Sequence, residues 1–243
     1  MDQQQQLRVD PAARRLAAVC MILGSVAVLG FRLAHGDLPA AEPEAALRFI
    51  ANHAAYAGVH LGTILGVLVW AGGLIALSGT LTHQAARLLG RLGAASVLVG
   101  AAIFTVEHSI DGVAGQALAT AWTAAPASGQ AEIVRAVDTA FTMLRGTSVI
   151  AIAVLWGVPL VLFGRAVMLE DHPSWLGWTG VAVGAATTLG AISLFLQSDL
   201  FPGVLLYGLL VSVVQLWSVA VGGMLWRRAG TTLGATAPPR HGT

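Results

Sequence analysis

The chain has 243 residues, 56% hydrophobic and 10% charged, with a net charge of +1 and a mean hydropathy of +0.75. Soluble domains usually carry about 25% charged residues, so the composition points away from an ordinary soluble fold, and the near-neutral charge argues against a nucleic-acid partner. All thirteen basic residues are arginine, which excludes lysine Schiff-base chemistry and a P-loop, and the single cysteine, Cys20, excludes an intrachain disulfide or a CxxC redox pair.

A membrane helix needs about 20 apolar residues. Six runs meet that length, at roughly 15–34, 57–80, 90–111, 147–168, 175–197 and 203–226. The expected fold is therefore all-α: a polytopic bundle of six spans over 15–228, preceded by a cytoplasmic segment at 1–14. The first run follows Arg14 and Arg15 but lacks a small-x-small cleavage site, so it reads as an uncleaved helix and not a signal peptide. Nor does Leu16-Ala17-Ala18-Val19-Cys20 read as a lipoprotein signal, because the apolar stretch follows the cysteine.

The link after the first span holds Pro39 and Pro43 and then a short helical pattern. Beyond the second span, nothing from Gly90 to Ala125 breaks a helix decisively, and the turn signal is Pro126-Ala127-Ser128-Gly129. At 1.5 Å per residue that stretch would be about 54 Å long, against a hydrocarbon core of about 30 Å. The third and fourth spans should thus project beyond the outer surface as a helical hairpin near 112–146. The last segment, 229–243, is rich in Gly, Thr and Pro and is expected to be disordered.

Arginine placement sets the expected orientation. With both termini on one side, that side holds Arg8, Arg14, Arg15, Arg87, Arg91, Arg165, Arg227, Arg228 and Arg240, while Arg32, Arg48, Arg135 and Arg145 fall on the other. The excess places both termini in the cytoplasm. Eight acids, including Glu107, Asp111, Asp138 and Asp199, fall outside, as do His35, His53, His60 and His108.

The chain also shows internal similarity. Leu92-Gly93 followed by Val99-Gly100-Ala101-Ala102 returns as Leu176-Gly177 followed by Val183-Gly184-Ala185-Ala186, and a weaker copy is Arg15-Leu16 followed by Leu23-Gly24-Ser25. The returning helices carry Val69-Trp70-Ala71, Leu155-Trp156-Gly157 and Leu216-Trp217-Ser218. Three pseudo-repeated hairpins would explain the pattern, and so would close packing through small residues. In that alignment the positions matching Asp111 are His35 and Phe195.

Carboxylates at the edge of a membrane are costly and call for a function or a partner. Counting about 20 residues outward along each span puts Arg32, His35, His60, Asp111, Arg145, Gln197 and Asp199 at one level, the outer hydrocarbon boundary. Glu107 and His108 lie about one turn deeper, and their i,i+4 and i,i+3 spacing to Asp111 aligns all three along one face. His53 and His60 would share a face if the second span begins early.

These residues admit several readings. Asp111 or Glu107 would pair with Arg145 or Arg32 in a purely structural role. An outward-facing pocket lined by His60, Glu107, His108, Asp111 and Arg145 would bind a small or lipophilic ligand or a cation. His60, His108 and Asp111 are the metal candidates, since two imidazoles with carboxylates suit a borderline divalent ion. No HExxH or CxxC spacing is present, and no cofactor is indicated. An acid/base enzyme of isomerase or cyclase type would use Glu107 as general acid and Asp111 as the ionised partner on a lipophilic substrate. An accessory subunit docked through the projecting hairpin is the remaining alternative. The lipid bilayer is the one partner implied directly, and the protein partner, if any, is not indicated.

Gly58-Val59-His60-Leu61-Gly62, the run from Val106 to Gly112 ending in Asp-Gly, Leu155-Trp156-Gly157 through Phe163-Gly164, and Trp175-Leu176-Gly177-Trp178 resemble a group of small multi-pass membrane proteins from high-GC bacteria. The resemblance spans Leu16 to Trp226 and implies a six-helix fold in a bacterial inner membrane. The group has no assigned activity, so the resemblance implies no chemistry. The glycine after Asp111 permits close approach of a neighbour to the carboxylate.

Overall fold

The computed structural model describes residues 10–170, 172–197 and 203–234. Helix α1 runs over Pro11–His35, α2 over Pro43–Ala51 and α3 over Tyr56–Gly79. Helix α4 (Gln84–Ile110) continues through a π-helical turn, Asp111–Gly115, into α5 (Gln116–Ala124). Helix α6 (Ala127–Ala151) likewise passes through a π-helical turn, Ile152–Gly157, into α7 (Val158–Leu169), and α8 (Ser174–Phe195) and α9 (Gly203–Gly234) complete the described chain. Six of these helices or helix runs are long and apolar enough to cross a membrane. The protein is a multi-pass helical membrane protein.

Local chemistry accounts for the ends. Asp10 accepts the Ala12 N–H at 2.9 Å with Pro11 at the first helical position, the expected N-terminal pairing. Helix α1 stops at Gly36, whose φ of 70° is open to glycine. Helix α3 begins at Tyr56, so His53 lies outside it in the preceding turn and shares no helical face with His60. The start agrees with the expected span over 57–80, and the condition under which the two histidines would share a face is not met. The π turn before α7 ends just ahead of Pro159, which has no N–H to offer the Leu155 carbonyl. The runs Gln84–Ala124 and Ala127–Leu169 are 41 and 43 residues long, well beyond what the hydrocarbon core requires, and the turn between them falls at Pro126. Helix α9 stays helical to Gly234, past the expected end of the last span, and 235–243 and Asp199 lie outside the described residues.

Bilayer lipid gives apolar helices little reason to associate, so close backbone approach must do the work. A Cβ on Gly24 would lie 2.4 Å from the Trp70 backbone nitrogen, and one on Gly73 would lie 2.6 Å from that of Met21, so α1 and α3 touch backbone to backbone. Gly100 meets Leu155 in the same way at 2.6 Å, and Gly184 meets Val161 at 2.6 Å. Gly24, Gly100 and Gly184 are the equivalent glycines of the internal similarity. Their partners differ: α8 packs more extensively on α7 than on α9, and α9 lies chiefly against α1. Buried Trp70 donates to Ser218 Oγ at 2.9 Å and Trp217 to the Leu176 carbonyl at 2.8 Å, so the polar tips of the central tryptophans tie α9 to α3 and α8.

A second, smaller core caps this bundle. Ala46, Leu47 and Ile50 on one face of α2 pack with Tyr56, Ala119, Val137 and Phe141 from α3, α5 and α6. It closes the end of the molecule where α5 and the first half of α6 extend past α3.

At the opposite end, the Glu170 carboxylate accepts the Thr82 and His83 N–H groups at 2.6 and 2.9 Å and the Thr82 hydroxyl at 2.8 Å. These N–H groups precede α4, so Glu170 caps that helix from the end of α7. Partial burial pushes the carboxyl up, but the three donors outweigh it and hold it below the usual glutamate range. Glu170→Ala is expected to cost about 1 kcal/mol at neutral pH, the usual worth of a cap. Because the folded value is depressed, that contribution is present above about pH 4.3 and fades as pH falls through the folded value. Thermal unfolding of wild type and variant should therefore differ at pH 7 and converge in acid.

Candidate functional site

Near the capped end, α1, α3, α4, α6, α8 and α9 surround a cavity of about 970 Å³. Its walls are mostly apolar, with Val28, Phe104, Val149, Trp156, Leu194 and Val211 among them. The polar groups of the chain converge on the same cavity: Arg32, His35, His60, Glu107, His108, Asp111 and Arg145 all line it. The five residues expected at a shared site from sequence are thus found around one space. So are His35, Asp111 and Phe195, the three positions matched by the internal similarity.

Asp111 is the hub. Its Oδ1 accepts the Tyr56 hydroxyl at 2.8 Å and its Oδ2 faces His60 Nε2 at 3.2 Å. The other nitrogen of His60, Nδ1, lies 2.9 Å from the Tyr56 carbonyl, which only accepts, so Nδ1 carries a proton and donates. Nε2 and Oδ2 therefore share one further proton, as imidazolium with carboxylate or imidazole with carboxylic acid. His60 is only 3% exposed, and the pair is shielded on the side of the smaller core by the ring of Tyr56, 4.4 Å from that of His60.

The backbone around Asp111 makes room for this. A Cβ on Gly112 would sit 2.7 Å from the His60 Cβ, so glycine lets the histidine reach the carboxylate. Asp111 begins the π-helical turn, a feature that re-aims side chains and recurs at functional sites. His35 at the end of α1 completes the cluster, with its ring 4.9 Å from that of His60 and its Nδ1 donating to the Gly36 carbonyl at 2.9 Å.

Glu107 sits one turn below. Its Oε1 meets the Ser148 hydroxyl, which also lies 2.8 Å from the Leu144 carbonyl. A hydroxyl has one proton for these two acceptors, so the arrangement is fully satisfied when Glu107 itself carries a proton and donates to Ser148. Glu107 Oε2 is buried without a hydrogen-bond partner, and so is Trp156 Nε1. His108 lies over the Phe104 ring, with centroids 3.6 Å apart.

The expected arginine partners do not close on these acids. Arg32 pairs with Asp37 at 2.8 Å and also donates to the Gly36 carbonyl. Its positive charge and hydrogen bond hold the exposed Asp37 carboxyl below the usual range. Arg145 is exposed and makes no ion pair among the described residues. Tyr56, His35 and Ser148 are the site residues absent from the sequence-derived set. For Tyr56 a signal existed, since it stands four residues before His60 at the head of a span. Comparison with protein-family models, curated proteins and solved structures finds no match, so the chemistry of the site is read from its own residues.

Proposed function

We propose that this protein binds a lipophilic molecule with a hydroxyl head in the cavity, entering from the outer leaflet of a bacterial inner membrane. The arginine asymmetry supports this reading, since it favours cytoplasmic termini and so a polar cavity end that faces outward. The observation that carries it is that three cavity-lining residues, Glu107, His108 and Trp156, each hold a buried polar atom without a partner, Glu107 Oε2, His108 Nδ1 and Trp156 Nε1. Buried polar groups are nearly always hydrogen-bonded in folded proteins. Trp156 Nε1–H only donates, and Glu107 Oε2 accepts when its carboxyl proton lies on Oε1. A hydroxyl supplies an acceptor for the first and a donor for the second. The apolar walls suit a hydrocarbon chain, in keeping with ligand sites that are mostly apolar with a few convergent polar groups.

Tryptophan quenching by a brominated long-chain alcohol tests this, because Trp156 lines the cavity. Gly146 also lines it, and a Cβ there meets nothing within 4 Å, so Gly146→Phe starts its side chain from open space at the cavity wall. The expected result is a saturable quenching component in wild type that is lost in Gly146→Phe and weakens about tenfold in Glu107→Leu, which removes the acceptor and with it the worth of one hydrogen bond. Quenching that rises only with the bulk mole fraction of alcohol, identically in all three proteins, contradicts the proposal.

A further inference from the structure

The cluster at the mouth of the cavity has the composition and the support of a metal site, and we infer that His35, His60 and Asp111 bind one divalent transition-metal ion. One ligand atom from each of the three lies within 4.8 Å of the others. Metal-bound imidazole and carboxylate atoms stand about 2.0–2.2 Å from the ion. A closure on the order of 1 Å brings all three to bonding distance.

The outer partners are the stronger indication. Ligating histidines almost always donate their other N–H to a carbonyl or carboxylate, which fixes the tautomer and aims the free nitrogen. Here His60 Nδ1 donates to the Tyr56 carbonyl at 2.9 Å, leaving Nε2 toward Asp111. His35 Nδ1 donates to the Gly36 carbonyl at 2.9 Å, leaving its Nε2 as the available ligand. Asp111 Oδ1 is held by the Tyr56 hydroxyl at 2.8 Å, leaving Oδ2. Each of the three residues thus has one polar atom anchored by an outer partner and a second left free of that anchor. Two imidazoles and one carboxylate on one side of an ion leave its remaining positions open to the cavity, as in sites that bind an exogenous ligand. Binding displaces the proton that His60 and Asp111 share, so one proton leaves as one divalent ion enters.

Sequence spacing nominates His108 with His60 and Asp111, whereas the folded chain puts His35 in that place. His108 stacks on Phe104 and is not part of the group. The site is independent of whether the cavity also holds an alcohol.

The test is titration of chelator-stripped, detergent-purified full-length protein with Co²⁺, read by its ligand-field absorption and by competition with Zn²⁺. One equivalent should bind to wild type, with affinity reduced at least tenfold in His35→Ala and unchanged in His53→Ala. Tyr56→Phe, which keeps the ring and removes only the hydroxyl that anchors Asp111, should lose about tenfold. Proton release on Co²⁺ addition should accompany binding. Absence of stoichiometric uptake by wild type, or equal uptake in His35→Ala, would overturn the inference. A loss in His108→Ala with none in His35→Ala would overturn this ligand set in particular.

Discussion

Replacing Asp111 with alanine is expected to destabilise the protein by about 3 kcal/mol, a large effect for a single site. The carboxylate holds two buried groups at once, the Tyr56 hydroxyl at 2.8 Å and His60 Nε2 at 3.2 Å. Removing it leaves both without partners, and each orphaned group costs about 1–3 kcal/mol. The side chain of Asp111 keeps 22% of its surface exposed, so water softens the loss and the lower end of the range for a broken buried pair applies. Asp111→Asn should cost less, because the amide oxygen still accepts from Tyr56. His60→Leu combined with Asp111→Leu should cost less than the sum of the single changes, since neither then strands the other. Thermal unfolding in one detergent, with Asp111→Ala, Asp111→Asn, the two single leucine variants and their double side by side, reads these differences directly.

Gly24→Leu is expected to be comparably damaging for a different reason. Its Cβ would lie 2.4 Å from the backbone nitrogen and 2.6 Å from the Cα of Trp70, and backbone cannot swing aside as a side chain can. Helix α1 must move away from α3, opening the contact on which Gly73 and Met21 also meet. Overpacking of this kind costs about 1–3 kcal/mol, occasionally more. Gly72→Leu is the matched control, because a Cβ there meets nothing within 4 Å and leucine is the better helix former. The yield of monodisperse protein and its thermal midpoint should fall for Gly24→Leu and hold for Gly72→Leu.

The six spans were legible because apolar length is a one-dimensional property, and a bilayer imposes it on each helix separately. The Asp111-Gly112 step was legible for a related reason: an acid beside a glycine in an apolar run has few structural explanations. What joins the acids was not legible. An arginine looks like the natural partner for Glu107, but the neighbour that reaches it is Ser148. Spacing along one helix says nothing of which residue of another helix faces it. The π-helical turns at Asp111–Gly115 and Ile152–Gly157 shift the register by one residue, so any face drawn at 3.6 residues per turn drifts beyond them. His53 shares no face with His60 because the helix starts at Tyr56, after a turn in which the His53 carbonyl accepts the Tyr56 N–H at 3.0 Å.

The internal similarity added Phe195 to the residues named from their depth and spacing, and picked out His35 among them. It aligned His35 with Asp111 before either had a place in space, and both line the cavity beside Phe195. Glycines at one equivalent position form close backbone contacts in α1, α4 and α8, yet α8 turns to α7 for its partner. Of the cavity-lining acids, Glu107 and Asp111 belong to the second hairpin and Asp37 to the link after the first span. The third hairpin contributes an apolar wall with Leu194 and Phe195, which suits a site that is polar on one side and greasy on the other.

The proposed function puts a ligand in this cavity with its polar head at Glu107 and Trp156. The most direct test is the anomalous scattering of bromine in crystals of the wild-type protein grown with the brominated long-chain alcohol. The account predicts a bromine peak inside the cavity, between Phe104 and Leu194, with the hydroxyl density against Glu107 and Trp156. Bromine found only along the lipid-facing surface, with water alone in the cavity, would contradict it.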